Sequence, residues 1–66
     1  LKKYVNLDGI TSINFTKVFT EVEFDNGTIR KYHKVPYGTY SDFLNAGSKT
    51  TFLKLVMKQY EYTLVK

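Results

Sequence analysis

The stretch VFTEVEFDNGTIRKYHKV, residues 18–35, decides the fold. In VFTEVEF, Val22 and Phe24 share one side of an extended chain and Glu21 and Glu23 share the other, because successive strand side chains point to opposite faces. Asp25-Asn26-Gly27 ends that alternation. Asn and Gly tolerate the positive φ angles a tight hairpin demands, so the chain reverses here and Thr28 to Val35 runs back as the next strand. Two registers compete. A two-residue loop sets Glu23 opposite Arg30 and Phe24 opposite Ile29. A three-residue loop, with Gly27 left-handed, sets Glu21 opposite Lys31 and Val22 opposite Arg30, and brings Tyr32 onto the Val22/Phe24 face. One residue of slip moves every side chain to the other face, so the directions of residues 30–34 depend on the loop.

Upstream, ITSINF (residues 10–15) is short and β-prone, and Asp8-Gly9 marks a turn before it. Leu1 to Asp8 has no clean period and reads as an extended arm or a short edge strand. Downstream, Pro36 cannot donate to a sheet ladder and suits the start of a helix. A first helix is predicted over most of Pro36 to Ala46, with Tyr40, Phe43 and Leu44 on one side. An alternative start is the capping box Thr39-x-x-Asp42, which leaves Gly38 in a turn. Ala46-Gly47-Ser48 stops this helix, and Ser48 caps a second from Lys49 to about Gln59. Phe52, Leu53, Val56, Met57 and Tyr60 form its apolar stripe. Lys54 and Lys58 lie on the other side, and Leu55 flanks that polar face. Tyr60 to Val65 alternates in a way that suits a short terminal strand. The expected fold is α+β in one domain: an antiparallel meander of about three strands, then two packed helices and that closing strand.

Size and composition narrow the function. A 66-residue chain buries only about 60% of its unfolded surface, and ordering costs on the order of 1.5 kcal/mol per residue. Five Phe and six Tyr are therefore first of all core volume. The sequence has no Cys, which excludes disulfides, thiol chemistry and Cys-based zinc sites. It has no run near the roughly 20 apolar residues that span a bilayer, and LKKYVNLDG lacks the apolar segment of a signal peptide. A cytoplasmic location is the expectation. The formal charge of +4 favours nucleic acid, an anionic membrane or an acidic protein patch as partner.

The run EVEFDNGTIRKYHKVPYGTYSDFLNAGSKTTFLKLVMKQYEY resembles the KTSC domain, a small module at the C-terminus of some lysyl-tRNA synthetases that also occurs as a short stand-alone protein in bacteria and phages. Val22, Phe24 and Gly27 match its first strand and turn. Tyr32, Val35 and Pro36 match its second strand and exit. Tyr40, Leu44, Ala46 and Ser48 match the first helix, and Phe52, Val56 and Tyr60 the second. Arg30 stands where the family usually has an aromatic, and Thr50 where a Gly commonly follows the Ser. The resemblance implies that positions 30 and 32 share a side with Val22 and Phe24, with Lys31 and His33 facing away. Its link to a tRNA synthetase suggests RNA by context alone.

Catalysis is not expected. His33 is the only histidine and has no carboxylate nearby in sequence to orient it. Glu21 and Glu23 read as a solvated strand face with cross-strand Lys or Arg partners rather than a hydrolytic pair. Asp25 is assigned to its turn and Asp42 to a helix N-terminus. No cofactor motif and no metal-ligand spacing are present, so neither a cofactor nor a metal is expected. The binding candidates for RNA or single-stranded DNA are Arg30, Lys31, Lys34, Lys54 and Lys58 for phosphates, Lys49 at a helix N-terminus, and Tyr37 and Tyr62 for stacking. The alternative is a protein-interaction module of phage or host, regulating or inhibiting a partner by covering it, with Tyr37 and Leu55 as anchors and the N-terminal arm, or an exposed edge strand, as an element that could join another sheet.

Overall fold

The computed structural model describes residues 2–66; Leu1, the first residue of the expected arm, lies outside the described residues. Five strands, β1 (Lys2–Leu7), β2 (Ile10–Phe15), β3 (Phe19–Phe24), β4 (Ile29–His33) and β5 (Tyr62–Leu64), form one sheet in the order β1-β2-β3-β4-β5. Every neighbouring pair is antiparallel. Helices α1 (Tyr37–Asn45) and α2 (Lys49–Leu55) and a 3-10 turn at Met57–Gln59 separate β4 from β5.

The fold is α+β, but the sheet has five strands where the sequence pattern predicts a meander of about three and a short closing strand. The segment before Asp8 is a six-residue edge strand. Its period is illegible because its register shifts between Tyr4 and Leu7, with Asn6 at φ 52°, and because only Val5 along it is even half-buried. An edge strand held by its backbone needs no apolar alternation. Asp8 (φ 58°) and Gly9 (φ 76°) make the two-residue turn with both φ angles positive that joins tightly paired strands.

The central hairpin takes the three-residue register. Phe24 N donates to Thr28 O at 2.8 Å and Gly27 N to Phe24 O at 2.9 Å. Gly27 sits at φ 90°, and Glu21 faces Lys31 while Val22 faces Arg30. A bulge around Thr11 sets Ile10 opposite Phe24 but Ser12 opposite Glu23. This is how Ile10 and Ile13, three apart, both reach the core.

Ile10, Ile13, Val22 and Tyr32 on the sheet meet Val35, Tyr40, Phe43 and Met57, all buried. Each such side chain contributes about 1.5–3 kcal/mol of burial energy. Phe43 stacks on Phe52 at 5.2 Å and Phe15 on Tyr40 at 4.8 Å. The other face of the sheet, carrying Glu21, Glu23, Lys31 and His33, has no helix on it among the described residues.

Pro36 is the N-cap of α1, so Gly38 is helical and the Thr39 capping box is not used. The Thr39 hydroxyl instead lies 3.2 Å from the Tyr60 hydroxyl. Asp42 therefore sits in mid-helix on an exposed position rather than at an N-terminus. Ser48 caps α2 by accepting from Thr51 N. That helix ends at Leu55, shorter than its apolar stripe predicts. The tighter 3-10 turn buries Met57, and Tyr60 is extended (φ −97°, ψ 141°). The early turn lets the chain leave the helix layer and pair Tyr62 with Tyr32 at the sheet edge.

Candidate binding groove

Strand alternation splits the basic run of β4. Arg30 points toward the helices with Val22 and Tyr32, and Lys31 points to the open face. The Arg30 guanidinium lies 5.0 Å from the Phe24 ring centroid and 4.8 Å from that of Tyr62. Its Nη1 donates to the Tyr32 hydroxyl at 3.0 Å. Its Nε is buried without a hydrogen-bond partner among the described residues. A guanidinium cannot shed its proton, so a permanent charge is held between two π faces, each attracting it electrostatically.

Beside this cluster is a groove of about 510 Å³. The sheet supplies Phe24 and Arg30 to its lining, α2 supplies Thr50, Leu53 and Lys54, and two hairpin tips supply Asp8, Gly9, Asp25 and Asn26. The tips are tied together, since Asp25 N donates to Gly9 O at 2.9 Å. The Thr11 hydroxyl donates to Asp25 Oδ1 at 2.6 Å, and Thr28 N donates to Asn26 Oδ1 at 2.9 Å. The groove carries two carboxylates, Asp8 and Asp25, and two cations, Arg30 and Lys54.

The groove brings together Arg30 and Lys54, with Tyr62 adjoining through its contact with Arg30. Lys58 is exposed on the 3-10 turn that follows α2. Other candidates lie elsewhere. Lys31 Nζ sits 4.4 Å over the Phe19 ring on the open face. Lys34, exposed at φ 59°, follows β4. Tyr37, 59% exposed, packs edge-on to Phe15 at 5.5 Å. Both are at the opposite end of the sheet from the groove, since β2 runs from Ile10 near Gly9 to Phe15. Leu55 is exposed on α2.

Lys49 is not a surface cation. It is only 6% exposed, its ammonium donates to Ala46 O at 3.2 Å, and its backbone N–H donates to Asp8 Oδ2 at 2.9 Å. The amide expected to meet an anion is thus held by a carboxylate of the same chain.

On the open face, His33 Nε2 lies 2.9 Å from Thr63 Oγ1, thirty residues away in sequence. The pair borders a shallow depression with Tyr60, Glu61 and Tyr62. Among the described residues, no group of three or more His, Asp or Glu is placed to hold a metal ion, and no helix is long and apolar enough to cross a membrane.

Sequence reasoning located both turns but not the groove between them. Asp8, Asp25, Asn26, Thr50 and Leu53 carry no local sign of sharing a site, because their proximity arises only when β1–β2 and β3–β4 pack beside α2.

The class is a small α+β domain, an antiparallel meander roofed on one side by two short helices, with a charge-balanced groove at one end. The KTSC domain family model matches residues 19–62, about two thirds of the chain, and the chain belongs to the KTSC domain family. The match runs from β3 through both helices to the start of β5. A search of curated proteins finds no match.

Proposed function

We propose that this KTSC-family domain is a non-catalytic, cytoplasmic binding module for RNA or single-stranded DNA, with little dependence on sequence. The carrying observation is the Arg30 guanidinium over both the Phe24 and the Tyr62 rings in a groove that Lys54 also lines. Single strands are held by positive charge along the backbone and by aromatic faces for bases. Lys54 and Lys58 supply phosphate contacts, and the half-exposed Tyr62 ring supplies a face.

The test is a titration of labelled single-stranded RNA, single-stranded DNA and duplex DNA at two salt concentrations. Saturable single-strand binding that weakens as salt rises is expected. No binding at low salt overturns the reading.

A second reading, protein contact at the β5 edge, is favoured by the exposure of Tyr62 and Leu64 along that strand and of Val65 just after it. An edge strand offers unpaired N–H and C=O groups to an incoming strand. Loss of a purified partner's binding on Tyr62→Ala, with nucleic-acid titrations flat, selects this reading.

A further inference from the structure

We infer that two copies of this chain pair through β5, antiparallel and about a two-fold axis, so that their sheets join into one. The inference rests on the edge-contact reading, to which it gives an occupant, and is independent of the nucleic-acid one.

The two edges of the sheet differ. β1 carries the exposed Lys2 and Lys3, and its register breaks between Tyr4 and Leu7, with Asn6 at φ 52°. Lysines and irregular backbone keep an edge from pairing with another chain. β5, which ends the sheet, has neither. Tyr62, Thr63 and Leu64 are uncharged and exposed, and they hold one unbroken register with β4.

The bonds to β4 fix which groups face outward. His33 N donates to Glu61 O at 2.9 Å, and Val65 N donates to Ile29 O at 2.8 Å. Glu61, Thr63 and Val65 therefore turn their main-chain groups toward β4. Tyr62 and Leu64, lying between them, turn N–H and C=O to the open edge.

Those outward groups select a register. Setting Tyr62 against the second copy's Leu64, and Leu64 against its Tyr62, satisfies the N–H and C=O of both residues in each copy. Sliding the pairing toward the N-terminus requires Tyr60, whose N–H is committed to Met57 O at 3.0 Å. Sliding it toward the C-terminus requires Lys66, whose C=O is turned back to Ile29 N at 3.2 Å.

Charge agrees with this direction. Antiparallel pairing brings Glu61 of each copy beside Lys66 of the other. Parallel pairing sets Glu61 by Glu61 and Lys66 by Lys66, which is repulsive. Tyr62 and Leu64 share the helix side of the sheet with Tyr32 and Arg30. They are 47% and 62% exposed, and in the pair they become cross-strand neighbours. Thr63 meets its own counterpart on the axis. The same patch serves both copies, so the assembly closes at a dimer. A strand of three residues buries less than the roughly 1,200–2,000 Å² of a stable interface, so the association is weak and depends on concentration.

The experiment is sedimentation velocity with amide NMR on the intact chain, from micromolar to millimolar concentration. A monomer–dimer equilibrium is expected, with concentration-dependent shifts at Tyr62, Thr63, Leu64 and Val65 and slower hydrogen exchange at the Tyr62 and Leu64 amides. Thr63→Lys and Thr63→Glu each set like charges face to face on the axis, and each is expected to weaken self-association by about tenfold or more. An equimolar mixture of the two is expected to restore pairing as a heterodimer. Leu64→Pro removes an outward N–H and no bond to β4, and is expected to give a folded monomer. A chain that is monomeric at millimolar concentration, shifts located on β1 or in the groove, or a mixture that fails to pair overturns the inference. If the chain stays monomeric while Tyr62→Ala loses a purified partner, self-pairing fails and the edge-contact reading stands. If it stays monomeric and that partner binds Tyr62→Ala unchanged, both fail.

Discussion

Asp8 Oδ2 accepts the backbone N–H of Lys49 at 2.9 Å, a bond that closes 41 residues of chain. The first N–H groups of a helix have no partner within it. Ser48 takes the amide of Thr51, and Asp8 takes that of Lys49. The bond fastens the β1–β2 hairpin to α2 and so fixes two walls of the groove relative to each other.

Replacing Asp8 tests this fastening. Asp8→Ala loses the acceptor and places an Ala at a positive φ, so we expect a loss of about 1–2 kcal/mol. Asp8→Asn keeps an acceptor and tolerates the left-handed backbone, and should lose less than half as much. Urea denaturation of the three proteins gives both values.

Two glycines should respond in opposite directions to Ala. Gly27 is at φ 90° with open space where a methyl group would project, so its cost is backbone strain alone, about 1–2 kcal/mol. Gly38 is helical and equally open, and Ala there should stabilise by about 0.4–1 kcal/mol. Thermal melts of Gly27→Ala and Gly38→Ala read the sign of each change.

Tyr40 is fully buried, and its hydroxyl has no hydrogen-bond partner among the described residues. Burial, and then the neighbouring Tyr37, push its phenol above the ordinary value. The neutral form is the one the fold accommodates. In the unfolded chain the phenol ionises near pH 10, so the contribution of Tyr40 to stability is constant below that pH and falls as pH rises from there toward the folded value. Tyr40→Phe removes an unsatisfied polar group, and should be neutral or stabilising by up to about 1 kcal/mol with a weaker alkaline loss. Denaturation across pH 8–11 checks both.

The two faces of the sheet predict different salt effects. Lys54→Ala should weaken single-strand binding and reduce the slope of log K against log salt by about 0.7, the loss of one phosphate contact. Lys31→Ala, on the open face over Phe19, should leave both unchanged. Fluorescence anisotropy at several salt concentrations separates them, and equal effects would move the interface to the open face.

Local chemistry made much of the fold legible. Asp25-Asn26-Gly27 forces a reversal wherever it stands, Pro36 ends a strand and opens a helix, and Ser48 caps α2, because each acts through its own backbone and near neighbours. Of the predicted stripe, Phe52 and Leu53 pack against the core from α2, Met57 reaches it from the 3-10 turn and Tyr60 from the extended segment beyond, while Leu55 stays exposed.

The groove was not legible, and neither was the fate of single charges. Lys49 reads like any lysine at a helix start, and only the arrival of Asp8 and the Ala46 carbonyl removes it from the surface. Arg30 and Lys31 are adjacent in the chain yet face opposite sides of the sheet.

What the amino-acid order determined unaided was the kind of most elements after Gly9 and where the chain turns, since propensity, capping and turn geometry act over a few residues. Tertiary structure alone decided that the first strand joins the sheet edge, that two turns sixteen residues apart meet at Gly9 and Asp25, and which cations remain free. Those outcomes depend on contacts between distant segments, and no local preference encodes the distance between them.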